Sequence, residues 1–175
     1  KLDARPDRID LRDLPYRPPL VSLPARYPSD EMVDQLLPHY TANELILDQG
    51  QDGACTGFGL AAVVNYLRFT GEWAARGKAP TKIQRVSPQF AYELARLYDE
   101  WPGEDYGGSS CRGALKGWHK QGLCGEEIWP VPVGLHGREL EAWRKELSTS
   151  ARATTLGVYY RIDRHSLVDM QAAIR

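Results

Sequence analysis

The chain has 175 residues, enough for one ordinary domain or a small two-lobed one. Its 42% hydrophobic and 26% charged residues are the balance of a soluble globular protein. A net charge of -1, with no basic stripe interleaved with aromatics, points to no nucleic-acid partner and no anionic membrane surface. No stretch approaches the roughly eighteen consecutive apolar residues that a membrane span needs.

Residues 1–47 are proline-rich and charged, with Pro6, Pro15, Pro18, Pro19, Pro24, Pro28 and Pro38 spaced along them. Such spacing argues against long helices and predicts an extended arm packed over a domain surface, anchored by Leu20-Val21 and Leu36-Leu37. The first residues contain neither an initiator Met nor an apolar signal core, as expected of a processed chain or a piece of a longer one.

Next comes Asp48-Gln49-Gly50-Gln51-Asp52-Gly53-Ala54-Cys55-Thr56-Gly57-Phe58, a glycine-punctuated loop that runs into a cysteine. The apolar, proline-free run over 57–67 predicts a mostly buried helix, so Cys55 falls where loop becomes first turn. Unpaired backbone N–H groups and the positive end of the helix dipole favour an anion there. A thiol in that position is favoured as the nucleophilic thiolate. Gln49, six residues upstream, is placed to turn an amide donor toward the oxygen of an acyl group attacked by that sulfur. By itself, a cysteine beside Ala, Gly and Phe is usually a small buried hydrophobe.

A polar loop over 70–85 is expected next. Ser87-Pro88 then opens a helix, with Ser as N-cap, Pro at the first helical position, and Phe90, Leu94 and Tyr98 on its apolar face. Another helix is predicted over about 110–121 and ends at Gly122. Residues 124–133 read as irregular around Trp129, and 138–147 as an amphipathic helix with Leu140, Trp143 and Leu147 on one side. The stretch 154–161, with Val158, Tyr159 and Tyr160, reads as a strand. Ser166 caps a last helix, with Asp169 at its third position and Leu167, Met170 and Ile174 on its buried face.

The spacing Gln-Gly-x-x-Gly-x-Cys, followed by a buried helix, resembles the papain-like cysteine peptidases, in the branch with Cys-Thr-Gly-Phe at the nucleophile. A second block is similar to the segment that follows in that family: residues 107–116, from Gly107-Gly108-Ser109-Ser110-Cys111-Arg112, then Gly122-Leu123-Cys124, Glu127 and Trp129-Pro130. Together the blocks cover about residues 44 to 131. The resemblance implies an α+β papain-like fold, mainly the helical lobe, with the β-rich lobe incomplete. It divides the chain into an arm over 1–47 that in such enzymes can act as a pro-segment, a nucleophile-bearing lobe over 48–150, and the start of a β-rich lobe over 151–175. It also implies peptide-bond hydrolysis without metal or cofactor. Cys55 would be the nucleophile, the Cys55 N–H and Gln49 the oxyanion donors, and Gly107 and Gly108 a bare backbone strip for an extended peptide or protein substrate. A simple turn explains the glycine pair equally well.

The histidine that such chemistry requires is not where the family places it. In papain-like enzymes it lies about 130–150 residues after the cysteine, with an Asn further on. None of His39, His119, His136 and His165 stands in a Gly-His-Ala setting. The expectation is therefore a partner outside these residues: a C-terminal lobe or a second polypeptide that brings His and Asn. Without it, the same fold serves as a binding or scaffold module. Cys111, His119 and Cys124 make a poor zinc set, since the first two lie about two turns apart on one helix and a fourth ligand is lacking. That helix also separates Cys111 from Cys124 too far for a disulfide. Secreted relatives carry a bridged cysteine where this chain has Asp52, so the pattern leans toward a reducing compartment.

Overall fold

The computed structural model describes residues 7–19, 30–101 and 107–174. They form six helices: α1 Asp30–Ala42, α2 Cys55–Arg76, α3 Pro88–Leu97, α4 Cys111–Gln121, α5 Gly137–Arg152 and α6 Leu167–Ile174. Pairing between strands is limited, among the described residues, to two isolated bridges, Pro15 with Arg161 and Val86 with Gly125.

The body is α3 packed between α2 and α4. Leu60, Ala61 and Val64 of α2 recur at helical spacing and meet Phe90, Ala91, Leu94 and Ala95 of α3. Ala114 of α4, Leu123 and Cys124 complete this core. The helices approach closely because glycines stand at the crossings. A Cβ on Gly57 would lie 2.5 Å from Tyr92 Cβ and 2.6 Å from the Pro88 carbonyl oxygen, and one on Gly117 would lie 2.7 Å from Leu94 Cβ.

Local signals set several boundaries as expected. Ser87 Oγ accepts the Phe90 N–H, Ser110 Oγ the Gly113 N–H, and Ser166 Oγ the Asp169 N–H, so α3, α4 and α6 all begin on a serine cap. Gly122, just after α4, has a positive φ of 82°. Residues 122–136 contain no helix, and Trp129 packs between Phe90 and Trp143.

Elsewhere the structure departs from expectation. The arm is not extended throughout: α1 occupies thirteen of its residues and carries Pro38 inside. An internal proline costs a hydrogen bond and strains the preceding turn. Leu36 and Tyr40 compensate by packing on a second core of Leu45, Phe69 and Ile83, whereas Leu37 stays exposed. Leu20-Val21 lie outside the described residues. Helix α2 continues to Arg76 through the expected polar loop, because Phe69 and Trp73 bury one face and Gly71 crowds nothing; Gly77, with φ 66°, ends it.

The stretch 154–161 is not a strand. Its bridge pairing among the described residues is the single one between Arg161 and Pro15, and without a ladder it has no regular hydrogen bonds to define a strand. The expected burial of Leu167 and Ile174 on α6 is likewise absent: they are 67% and 75% exposed. The helical lobe therefore matches the expected fold class, and the β content does not.

Candidate active site

Cys55 is the first residue of α2, and its side chain is exposed. Ala54 before it is fully buried and fixes the start of the helix by accepting the Phe58 N–H at 3.0 Å. No side chain caps this end. The first-turn N–H groups therefore have no intrahelical acceptor and face the cysteine's surroundings.

The preceding loop is held by its own polar groups. Asp48 Oδ1 accepts the Gly50 N–H at 2.8 Å, an Asx turn that Gly50 completes with φ 63°. The Gln49 side chain donates from Nε2 to the Asp52 carbonyl at 2.8 Å, which leaves the second amide hydrogen for another acceptor. The amide is thus tied to the loop that delivers Cys55.

A second loop packs directly on the first. A Cβ on Gly53 would fall 1.6 Å from the Gly107 carbonyl oxygen, so only glycine permits the contact. One residue beyond Cys55, the Thr56 hydroxyl shares a short hydrogen bond with the Ser109 hydroxyl. Gly107 and Gly108 therefore flank the loop that leads into Cys55. Gly107 has no left-handed φ, and its missing side chain would face open space. A cleft of about 360 Å³ opens on the other side of the loop, where Asp48 and Phe58 meet Arg85 and Trp129. The larger hollow, about 660 Å³, lies away from Cys55, between Arg68, Glu127 and α5.

The four histidines have other settings. His39 meets the Trp73 ring edge-on, centroids 5.4 Å apart. His119 Nδ1 faces the Leu156 and Gly157 carbonyls at 3.0 and 2.8 Å, so that nitrogen carries the proton. His136 precedes α5 without capping it by its side chain, and His165 Nε2 accepts from Arg164. Gln49 and Gly107 thus belong to the two loops that adjoin the start of α2, and three of the histidines are engaged with other partners.

Among the described residues no group of three or more His, Cys, Asp or Glu is placed to hold a metal ion. Cys111 is exposed at one end of α4 while Cys124 is buried beyond the other, where burial pushes its thiol up to about 12.

Sequence reasoning missed two features. Asn65, fully buried on α2, accepts the Val86 N–H through Oδ1 at 2.9 Å and ties the central helix to the start of α3. Arg112, on the first turn of α4, has an 8% exposed side chain and meets three carboxylates, from Asp7, Asp13 and Glu100. No local signal marked this pairing: Asp3, Asp7, Asp10 and Asp13 alternate along the arm with Arg5, Arg8 and Arg12.

No protein-family model matches the chain, and no curated protein matches it. Among solved structures it is similar to xylellain, a cysteine protease from Xylella fastidiosa, with a TM-score of 0.60 and 22% identity. The fold is papain-like. The match covers 97% of this chain and 61% of the xylellain chain, so these residues span about three fifths of that protein's length.

Proposed function

We propose that this chain is the nucleophile-bearing part of a papain-like cysteine peptidase that hydrolyses peptide bonds through an acyl-thioester on Cys55. The observation that supports this reading most is an exposed thiol on the first residue of a core helix, in a loop that also fixes the Gln49 amide and seats on Gly107.

In this reading the Cys55 sulfur attacks the scissile carbonyl, and the Cys55 N–H and the free Gln49 amide hydrogen receive the charge that develops on oxygen. The open backbone of Gly107 and Gly108 lies alongside an extended peptide. A histidine, oriented by an asparagine, comes from polypeptide outside these residues, takes the thiol proton and returns it to the leaving amine. No metal or cofactor takes part.

The second reading is a papain-fold module that binds without catalysis. It is favoured by the occupied settings of His39, His119 and His165.

Alkylation of the full-length protein that carries this chain separates the two. Iodoacetamide or an epoxide electrophile should modify Cys55 at least tenfold faster than Cys111, which is also exposed. Gln49→Ala should lower kcat on a peptide substrate by about 10²-fold or more. Equal rates at the two cysteines would favour the binding module.

A further inference from the structure

The N-terminal arm is fastened to the body through one guanidinium. Arg112 donates from Nε and Nη2 to the two oxygens of Asp7, with Nε at 2.7 Å, and from Nη1 and Nη2 to the two oxygens of Asp13, with Nη2 at 2.8 Å. Both contacts are two-pronged, the geometry in which Arg and carboxylate bind most strongly. Asp13 Oδ2 also accepts from Arg161 Nη1 at 3.0 Å, so one carboxylate oxygen holds two arginines. Backbone bonds continue the attachment: the Tyr16 N–H donates to the Arg161 carbonyl and the Arg161 N–H to the Leu14 carbonyl, each at 2.8 Å.

The body is built for this occupant. Without residues 7–16, Arg112 would keep Glu100 alone of its three carboxylates, and Arg161 would lose both Asp7 and Asp13. Removing one side of a largely desolvated ion pair is strongly unfavourable. Arg112 also stands two residues after Ser110, which caps α4, and three after Ser109, which bonds Thr56 beside Cys55. The arm's attachment and the Gly107–Ser109 wall thus share one helix end.

We infer that residues 7–16 are a permanent strap, locked through Arg112, that fixes the cleft wall ahead of α4 and holds residues 159–161 on the helical body, rather than a cover whose removal exposes the cysteine. This goes beyond the peptidase reading and does not need it, because fragment retention, fragment release and hydrogen exchange concern attachment alone.

The test uses the full-length protein with a specific protease site placed within residues 20–29. After cutting, the arm fragment should stay with the body through gel filtration, and the rate at which iodoacetamide modifies Cys55 should change less than twofold. The double variant Asp7→Asn, Asp13→Asn should release the cut fragment. In the uncut protein the same variant should speed hydrogen exchange at the Tyr16 and Arg161 amides at least tenfold. Release of the native fragment on cutting would overturn the strap. So would faster modification of Cys55 after cutting, or unchanged exchange in the double variant.

Discussion

One geometric demand on Cys55 comes from Gly57, two residues into the same helix, and it can be tested with a matched pair of substitutions. A Cβ at position 57 would lie 2.5 Å from both the backbone nitrogen and the Cβ of Tyr92, and 2.6 Å from the Pro88 oxygen. Ordinary van der Waals contact begins near 3.4 Å, so Gly57→Ala overlaps α3 by almost 1 Å, largely against backbone that cannot rotate away. Gly59, one residue further along α2 from Phe58, has nothing within 4 Å of its would-be Cβ. Both changes gain the helix preference of Ala over Gly, about 0.8–1 kcal/mol. Only Gly57→Ala adds an overpacking cost of about 1–3 kcal/mol. The two variants should therefore differ by about 1–3 kcal/mol, with Gly59→Ala at or above the parent and Gly57→Ala below Gly59→Ala.

Thermal unfolding of parent and variants is the assay. In a protein of this size each kcal/mol moves Tm by about 2–4 °C, so the pair should separate by about 2–12 °C. Cys55 alkylation should fall with Gly57→Ala and not with Gly59→Ala, since only the former shifts the first turn of α2. Equal melting of the two variants would refute the close α2–α3 crossing, and with it the account of what holds Cys55 in place.

Two further outcomes follow from the ionisable groups. With its thiol pushed up to about 12, Cys124 should have a thiolate fraction near 10⁻⁴ at pH 8, so mass spectrometry after brief iodoacetamide treatment should find Cys55 and Cys111 modified and Cys124 intact. The strap should respond to acid in two opposite senses. Hydrogen bonds from Arg112 hold Asp7 and Asp13 below the usual carboxylate range, so their contribution is present above that range and lost as pH falls through their lowered values. Burial, then the neighbouring Asp7 charge, raises Glu100, so stability should first rise as Glu100 takes up its proton on the way down from neutral pH. Glu100→Gln should abolish that rise while leaving the loss at lower pH, read as Tm between pH 7 and pH 2.

What was legible beforehand was local chemistry. A serine hydroxyl satisfies an N–H three residues on whatever surrounds it, so Ser87, Ser110 and Ser166 marked helix starts in the sequence, and Gly122 marked an end. Cys55 at a loop-to-helix junction was readable for the same reason. What was not legible depended on distant partners. Helix α1 carries an internal proline that local rules forbid, and it survives on contacts with Phe69 and Trp73. The 154–161 stretch has strand-forming side chains, yet a strand exists only through a laddered neighbour, and here the pairing stops at one bridge to the arm. Arg112 and Asp7 are 105 positions apart, with nothing near either one to announce the other.

These long-range contacts bear on how the candidate site is held. Cys55 is aimed by backbone approaches rather than by its own side-chain partners: α2 lies on α3 at Gly57, and the loop before Cys55 lies on Gly107 at Gly53. Neither approach leaves room for a methyl group, and packed interiors give way in discrete steps rather than smoothly. The wall at 107–109 is in turn set by the start of α4, where Ser110 caps the helix and Arg112 receives the arm. Crowding at either glycine, or loss of Arg112, thus acts on the same few atoms around Cys55, and their effects should be coupled rather than additive. Exposed positions on the far side of α2, such as Val63 and Leu67, share none of these contacts and should tolerate polar replacement without disturbing the thiol.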